Sequence, residues 1–368
     1  MSVVPQELSD LIIDYLHHDR SSLAACSLTC QNWVASAQKH LFADILLYNA
    51  RLCSAFGRLL ESSPHLGLHV RELNVSKLST ANKPEFMLFE RVLPSIMARL
   101  SHVKCLGISL LAMNDAIIRG PQILSSVTEL HLQYCEFPTF QDFVRLFYGI
   151  PHVQSLTLRG VSWTSTYFDK RLHPVVAPKL HTLVLGKDTD IGTLVEFLLH
   201  GSHHRSITAL SARCSSQEDA AAVGVLLENV GPSLMYLELD WNPCSSVEQA
   251  VFLPTSLFLN HCTTLEKLSM HCVILKDRYI PWVTSAFSQL NSVVNKEIVM
   301  EIRLLGDLDG LDWKTLEDEL SGARFGNLRS LLLKVIVWSG LPMSQMEVRS
   351  LIRERLPRLE SKGILHFS

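Results

Sequence analysis

One short apolar motif recurs along most of the chain: an apolar residue, two variable residues, a Leu or Ile, one variable residue, then another apolar residue. It appears as "FADILL" (Phe42 to Leu47), "VRELNV", "VKCLGI", "VTELHL", "VQSLTL", "LHTLVL", "ITALSA", "LMYLEL", "LEKLSM", "VMEIRL" and "LRSLLL" (Leu328 to Leu333). The central Leu or Ile falls at positions 45, 73, 106, 130, 156, 183, 210, 237, 268, 302 and 331. In a strand, alternate side chains point to opposite faces. Leu130 and Leu132 are therefore expected to point inward, and Glu129, His131 and Gln133 outward. Between the motifs, "PEFMLFERVLPSIMARL", "TFQDFVRLFYGI", "IGTLVEFLLHG", "SSQEDAAAVGVLLENVG" and "DWKTLEDELSG" set apolar residues three or four apart, which predicts helices. Asp312 is placed to start one of them, and Gly201 and Gly231 to end two others.

One strand and one helix per unit, repeated, resembles a leucine-rich repeat protein, whose units run about 20–29 residues with a strand signature "LxxLxL". The longer signature is matched only in part, by Cys135 and Asn242. The fold class expected is α/β: an irregular leucine-rich-repeat solenoid with a curved parallel sheet. No such unit buries its apolar face alone, so its neighbours complete the core.

The residues before the first motif follow another rule. Pro5 stands at a helix start, where its missing N–H is harmless. Leu8, Leu11, Ile12, Tyr15 and Leu16 then form one apolar stripe. A second helical block restarts with Ser21 or Ser22 as N-cap and carries Leu23, Cys26, Cys30, Trp33, Ala37 and Leu41.

Pro5-Gln6-Glu7-Leu8, the spaced Ile12 and Leu16, "CSLTCQNW" (Cys26 to Trp33) and "HLFADILL" together resemble an F-box, a small all-helical module, of the kind that precedes degenerate leucine-rich repeats in fungal F-box proteins. The resemblance divides the chain into an F-box over residues 1–47 and a solenoid over 48–368 that ends in a capping helix. It implies a Skp-family adaptor as partner and, through it, a cullin. It implies further that Pro5, Leu8, Ile12, Leu16 and Leu28 lie at the adaptor surface, while Cys26, Cys30, Trp33 and Leu41 hold the module together. Gln31 departs from the family, which commonly has a basic residue there. A helical unit of this size buries too little surface to be stable alone, so the alternative reading makes it only a cap for the solenoid's open end.

Composition narrows the function. Apolar residues make up 47% of the 368, charged residues 19%, and the formal net charge is −3. That balance gives no electrostatic footprint for nucleic acid or an anionic membrane. No apolar run is long enough to span a bilayer, and the first residues lack the basic flank and apolar core of a signal peptide. An intracellular protein, cytoplasmic or nuclear, is expected. The nine cysteines are scattered through apolar segments and read as reduced thiols.

Chemistry-bearing motifs are few. His200, His203 and His204, and the "HC" pairs at 261–262 and 271–272, are the metal candidates, but none offers four convergent ligands. "GDLDGLDWKTLEDEL" does not keep calcium-loop spacing, and no nucleophile elbow or phosphate loop is present. Neither an enzyme nor a bound cofactor or metal is expected. The outward strand positions remain: His131, Gln133, Thr157, Arg159, Glu238, Asp240, His271 and Arg303 are the candidate concave-face contacts for a protein substrate. Near the end, Ser344 with Glu347 forms a capping-box signature. It opens a helix whose apolar stripe is Met346, Leu351, Ile352 and Leu356, and a short strand is expected at 364–367.

The function this implies is a substrate receptor of an SCF-type ubiquitin ligase, the F-box binding the adaptor and the repeats a protein. The alternative is a repeat scaffold whose F-box acts outside ubiquitination or is vestigial.

Overall fold

The recurring motif forms strands because its apolar positions alternate and a parallel neighbour on each side satisfies the backbone. The computed structural model describes residues 5–76, 91–171, 178–241, 257–276, 278–291 and 294–368. The chain divides into two units, Met1–Pro178 and Lys179–Ser368.

In the first unit, β1 (Asp44–Leu47), β2 (Glu72–Ser76), β3 (Cys105–Ser109), β4 (Glu129–Gln133) and β6 (Ser155–Arg159) pair in that order, all parallel. A side pair, β5 (Glu136–Phe137) with β7 (Ser162–Trp163), continues the turns after β4 and β6. The register stacks the motif leucines directly: Ile45, Leu73, Leu106, Leu130 and Leu156 are consecutive partners. All five are buried. Helices cover the inner side. Among them are α4 (Ala50–Ser62), the segment 91–97 and the helix Phe140–Tyr148. Thr139 and Asp142 cap the last of these reciprocally, and it buries Phe140, Phe143 and Phe147. Phe137, Trp163 and Phe168 pack against those rings.

In the second unit, β8 (Thr182–Leu185), β9 (Ala209–Cys214), β10 (Tyr236–Trp241), β11 (Lys267–Ile274), β12 (Glu297–Leu304), β13 (Ser330–Val337) and β14 (Leu365–Phe367) form a second all-parallel series. Leu183, Leu210, Leu237 and Leu268 are again consecutive partners. The next partner is Ile298, not the Ile302 expected from the motif. The reason is strand length: β12 has eight residues, and both Ile298 and Ile302 point inward. The motif matches the later one, while the register is set by the earlier. Asp312 caps the helix Trp313–Ser321, and Gly201 and Gly231 follow the helices Ile191–His200 and Gln217–Val230. Each unit is thus an α/β repeat stack of solenoid type. The Asn242 expected in one repeat turn lies outside the described residues.

Glycine is required where two turns touch. A Cβ on Gly67 would stand 2.4 Å from the Arg99 carbonyl oxygen, closer than van der Waals contact allows.

The C-terminal helix Gln345–Arg355 begins with the expected Ser344–Glu347 capping box. Its buried stripe is Val348 and Ile352, continued by Leu356 and by Leu359 of the helix Pro357–Ser361, and it does not include Met346 or Leu351. Met346 is 80% exposed because it lies on the helix face opposite Val348. Among the described residues, no helix is long and apolar enough to cross a membrane.

Candidate functional site

The N-terminal residues form three helices, α1 (Gln6–Tyr15), α2 (Arg20–Thr29) and α3 (Gln31–Leu41), where two were expected. The second block breaks at Cys30, which is extended (φ −157°, ψ 160°) and precedes α3. Ser27 and Thr29 donate their hydroxyls back to the carbonyls of Ala24 and Ala25, a local competition that favours ending a helix there. The N-cap of α2 is Asp19 rather than Ser21 or Ser22, and it accepts from the backbone N–H of both serines. The two serine hydroxyls, with those backbone groups, hold the Asp19 carboxyl down at about 2.

Ile13, Leu23 and Ala37 form the buried centre of this bundle, with Leu16, Cys26, Trp33 and Leu41 packed around them. Polar ties close it. Gln6 donates to the Asn32 carbonyl, Ser36 hydrogen-bonds Asp10, and His40 Nε2 lies 2.5 Å from Asp14. Arg20 donates to the carbonyls of Leu41 and Asp44, joining α2 to the entry into β1. The His40 hydrogen bond holds the Asp14 carboxyl below its ordinary range.

Two expected roles change. Cys30, expected in the bundle core, is exposed, because the chain is extended there instead of helical. Leu16, expected on the outer surface, is half-buried against the core, since it follows Ile13 on the same side of α1.

The outer side of α1 is apolar and uncovered, and α2 exposes one leucine. Leu8, Leu11 and Ile12 are each about half exposed, and Tyr15 and Leu28 are 86% and 87% exposed. Pro5, exposed as well, precedes α1. Helix α1 therefore has two apolar sides, one packed and one open. Scattered exposed apolar residues are normal on a surface, whereas a contiguous set points to an interaction.

The outward strand positions differ between the units. In the first, Asp44, Glu72, Cys105, Glu129 and Ser155 form one register row, and Asn74, Gly107, His131 and Thr157 the next. Burial, helped by the neighbouring Glu72, Glu129 and Asp44 carboxylates, pushes the Cys105 thiol up to about 11. Gln133 is half-buried and Arg159 exposed. Thr157, expected as an open contact, is 7% exposed: a short side chain among longer ones is covered by them.

In the second unit His271 is the centre of a network. Its Nε2 lies 2.8 Å from Glu238 and its Nδ1 3.6 Å from Glu301. Arg303 donates twice to Glu301, Arg213 pairs with Asp240 at 2.5 Å, and Lys267 pairs with Glu297 at 2.8 Å. The Glu238 hydrogen bond holds His271 protonated to higher pH than usual, against the opposing effect of burial. The same bond lowers Glu238 to about 2. Burial alone would raise Glu301, but Arg303 and His271 outweigh it and keep that carboxyl low. Glu238, Asp240, His271 and Arg303 are thus brought together as one patch.

Among the described residues, the close group of three potential ligand side chains includes none of the histidines singled out above. His203 is buried, its ring 5.2 Å from that of Phe197, and Cys262 and Cys272 are core thiols pushed up to about 12 by burial.

No protein-family model matches the chain, and no curated protein does. Solved structures similar to it include the complex of Rad7 and Elc1 in yeast, at 13% identity over 92% of this chain and 91% of that one, with a TM-score of 0.39. The leucine-rich repeat-containing protein LegL7 from Legionella pneumophila aligns at 14% identity over 89% and 85% of the two chains, with a TM-score of 0.37. The α/β repeat architecture rests on the strand registers of the chain itself.

Proposed function

We propose that the chain is a non-catalytic receptor that tethers two proteins: the N-terminal bundle is an F-box holding a Skp-family adaptor, and the repeats hold a protein substrate for ubiquitin transfer. The observation that carries the reading is the open apolar stripe of α1, Leu8, Leu11, Ile12 and Tyr15, with Leu28 of α2 exposed as well. These residues add nothing to the bundle's own core, and covering them removes apolar surface from water at about 25 cal/mol per Å². Four of the motif residues that the resemblance assigns to the adaptor, Pro5, Leu8, Ile12 and Leu28, are exposed. Holding two proteins together raises their effective concentration without chemistry in this chain. The cytoplasm or nucleus is where such a receptor would act.

The test is a pull-down of the tagged protein from its own cells, probed for adaptor, for cullin and for proteins stabilised by proteasome inhibition. Adaptor and cullin together support the ligase role. Adaptor without cullin favours assembly outside ubiquitination, and neither would reduce the bundle to a cap on the first repeat. A Leu8→Asp/Ile12→Asp variant that stays folded and retains the adaptor would also overturn the assignment.

A further inference from the structure

Cys105, Glu129 and His131 come together on the outward face of the first unit. Cys105 on β3 is the register partner of Glu129 on β4, and His131 follows two residues later on the same face. One ligand atom from each, the thiol sulfur, a carboxylate oxygen and an imidazole nitrogen, all lie within 4.8 Å of one another. His131 Nε2 is 3.8 Å from Glu129 Oε2.

We propose that these three side chains bind a borderline divalent cation of the Zn²⁺ type. Sulfur, imidazole and carboxylate are the donors such an ion takes, with bonds of about 2.0–2.3 Å. A tetrahedron with those bonds puts its donors roughly 3.3–3.7 Å apart, so closure needs about an ångström of movement. All three side chains are partly exposed and can rotate that far. The thiol selects against Mg²⁺ and Ca²⁺, which prefer all-oxygen sets.

Two further observations point to a cation. Asp44 and Glu72 extend the row on the other side of Cys105, and among the described residues no Lys or Arg lies within ion-pair distance of Asp44, Glu72 or Glu129. Glu72 is held in place by Asn74, which donates to it at 2.8 Å over the space that Gly107 leaves open. A Cβ at Gly107 would stand 2.0 Å from the Asn74 Oδ1. Three protein ligands leave a coordination position for water or for a donor from a molecule lying on this face. On binding, the Cys105 proton passes to solvent and the imidazole binds in its neutral form, so affinity rises with pH.

The experiment uses the full-length, reduced protein titrated with Zn²⁺ by calorimetry and with Co²⁺ as a spectroscopic substitute. One equivalent should bind, and Co²⁺ should give a thiolate-to-metal charge-transfer band in the near ultraviolet. Cys105→Ser should abolish the band, and His131→Gln should weaken Zn²⁺ roughly tenfold or more, whereas Cys30→Ser, at an exposed thiol of the bundle, leaves both unchanged. In the unaltered protein Zn²⁺ should shield Cys105, but not Cys30, from alkylation, a readout that needs no variant to fold. No band with wild type, a band that survives Cys105→Ser, or alkylation of Cys105 unaffected by Zn²⁺ would each overturn the site.

Discussion

His271 and Glu238 meet diagonally between adjacent strands, Nε2 to Oε1 at 2.8 Å, with Glu301 3.6 Å from the other ring nitrogen and Asp240 the register partner of His271. The histidine faces three carboxylates, so its charged form is the favoured one. His271 is raised above its ordinary 6.5, so its contribution is complete below that value and is lost as pH rises through the folded-state value. Glu238 is lowered from 4.5 to about 2, so its contribution is complete above 4.5 and is lost as pH falls towards 2. The pair is therefore most stabilising between 4.5 and 6.5. His271→Gln should lower the unfolding free energy by about 1 kcal/mol more at about pH 5.5 than at about pH 8, a figure kept small because both groups are partly solvated. Urea melts of both proteins at the two pH values measure it, and equal losses would show that the charge is immaterial.

Ile12 and Ile13 are chain neighbours with opposite roles, one 55% exposed and one fully buried. Ile13→Ala should cost about 2–5 kcal/mol of stability. Ile12→Ala should leave stability within about 0.5 kcal/mol yet weaken adaptor binding several-fold. Thermal melts and calorimetry with a purified Skp-family adaptor separate the two effects.

Gly67 sits where the turn after α4 touches the Arg99 carbonyl. Gly67→Ala forces backbone apart and should cost roughly 1–3 kcal/mol. Gly363→Ala is the useful contrast: its Cβ would meet nothing within 4 Å, but φ there is +68°, so only the left-handed backbone is penalised, by about 1–2 kcal/mol. If both variants melted with the wild type, neither mechanism would hold.

Glu317 is a buried carboxylate that accepts the Arg358 backbone N–H at 2.6 Å, fixing the start of the last helix. Glu317→Ala leaves that N–H unpaired and should cost about 1–3 kcal/mol. Glu317→Gln keeps an acceptor oxygen and should cost less. Denaturant titration gives the order of the three proteins.

The inward leucines were legible because alternation along a strand is a property of the chain itself: Leu73, Leu106, Leu130 and Leu156 need no knowledge of their neighbours to be assigned a face. The register of β12 was not, because Ile298 and Ile302 satisfy the same alternation and only pairing with Leu268 chooses between them. At the bundle, spacing alone predicts Cys30 to be helical, while the Ser27 and Thr29 hydroxyls compete for α2 carbonyls and the backbone turns extended there before α3. The open side of α1 was visible as a stripe, but which half of the helix would be packed was not, and Leu16 fell on the other half. Cys105, Glu129 and His131 were individually unremarkable. They are 24 and 26 residues apart along the chain and become neighbours only through the pairing of β3 with β4.

Within each unit, successive sheet partners are separated by one repeat, from 24 residues between Cys105 and Glu129 to 34 between Leu331 and Leu365. Among the described residues, no pairing inside a unit waits for a segment made much later. Within a unit, a chain emerging from the ribosome can therefore add each strand after the first to a partner already exposed, and the loop closures between described partners span about one repeat. Within a unit, synthesis order and assembly order coincide, so a stalled or truncated product carries a finished stack whose newest strand presents a raw sheet edge, the kind of surface on which incomplete chains self-associate.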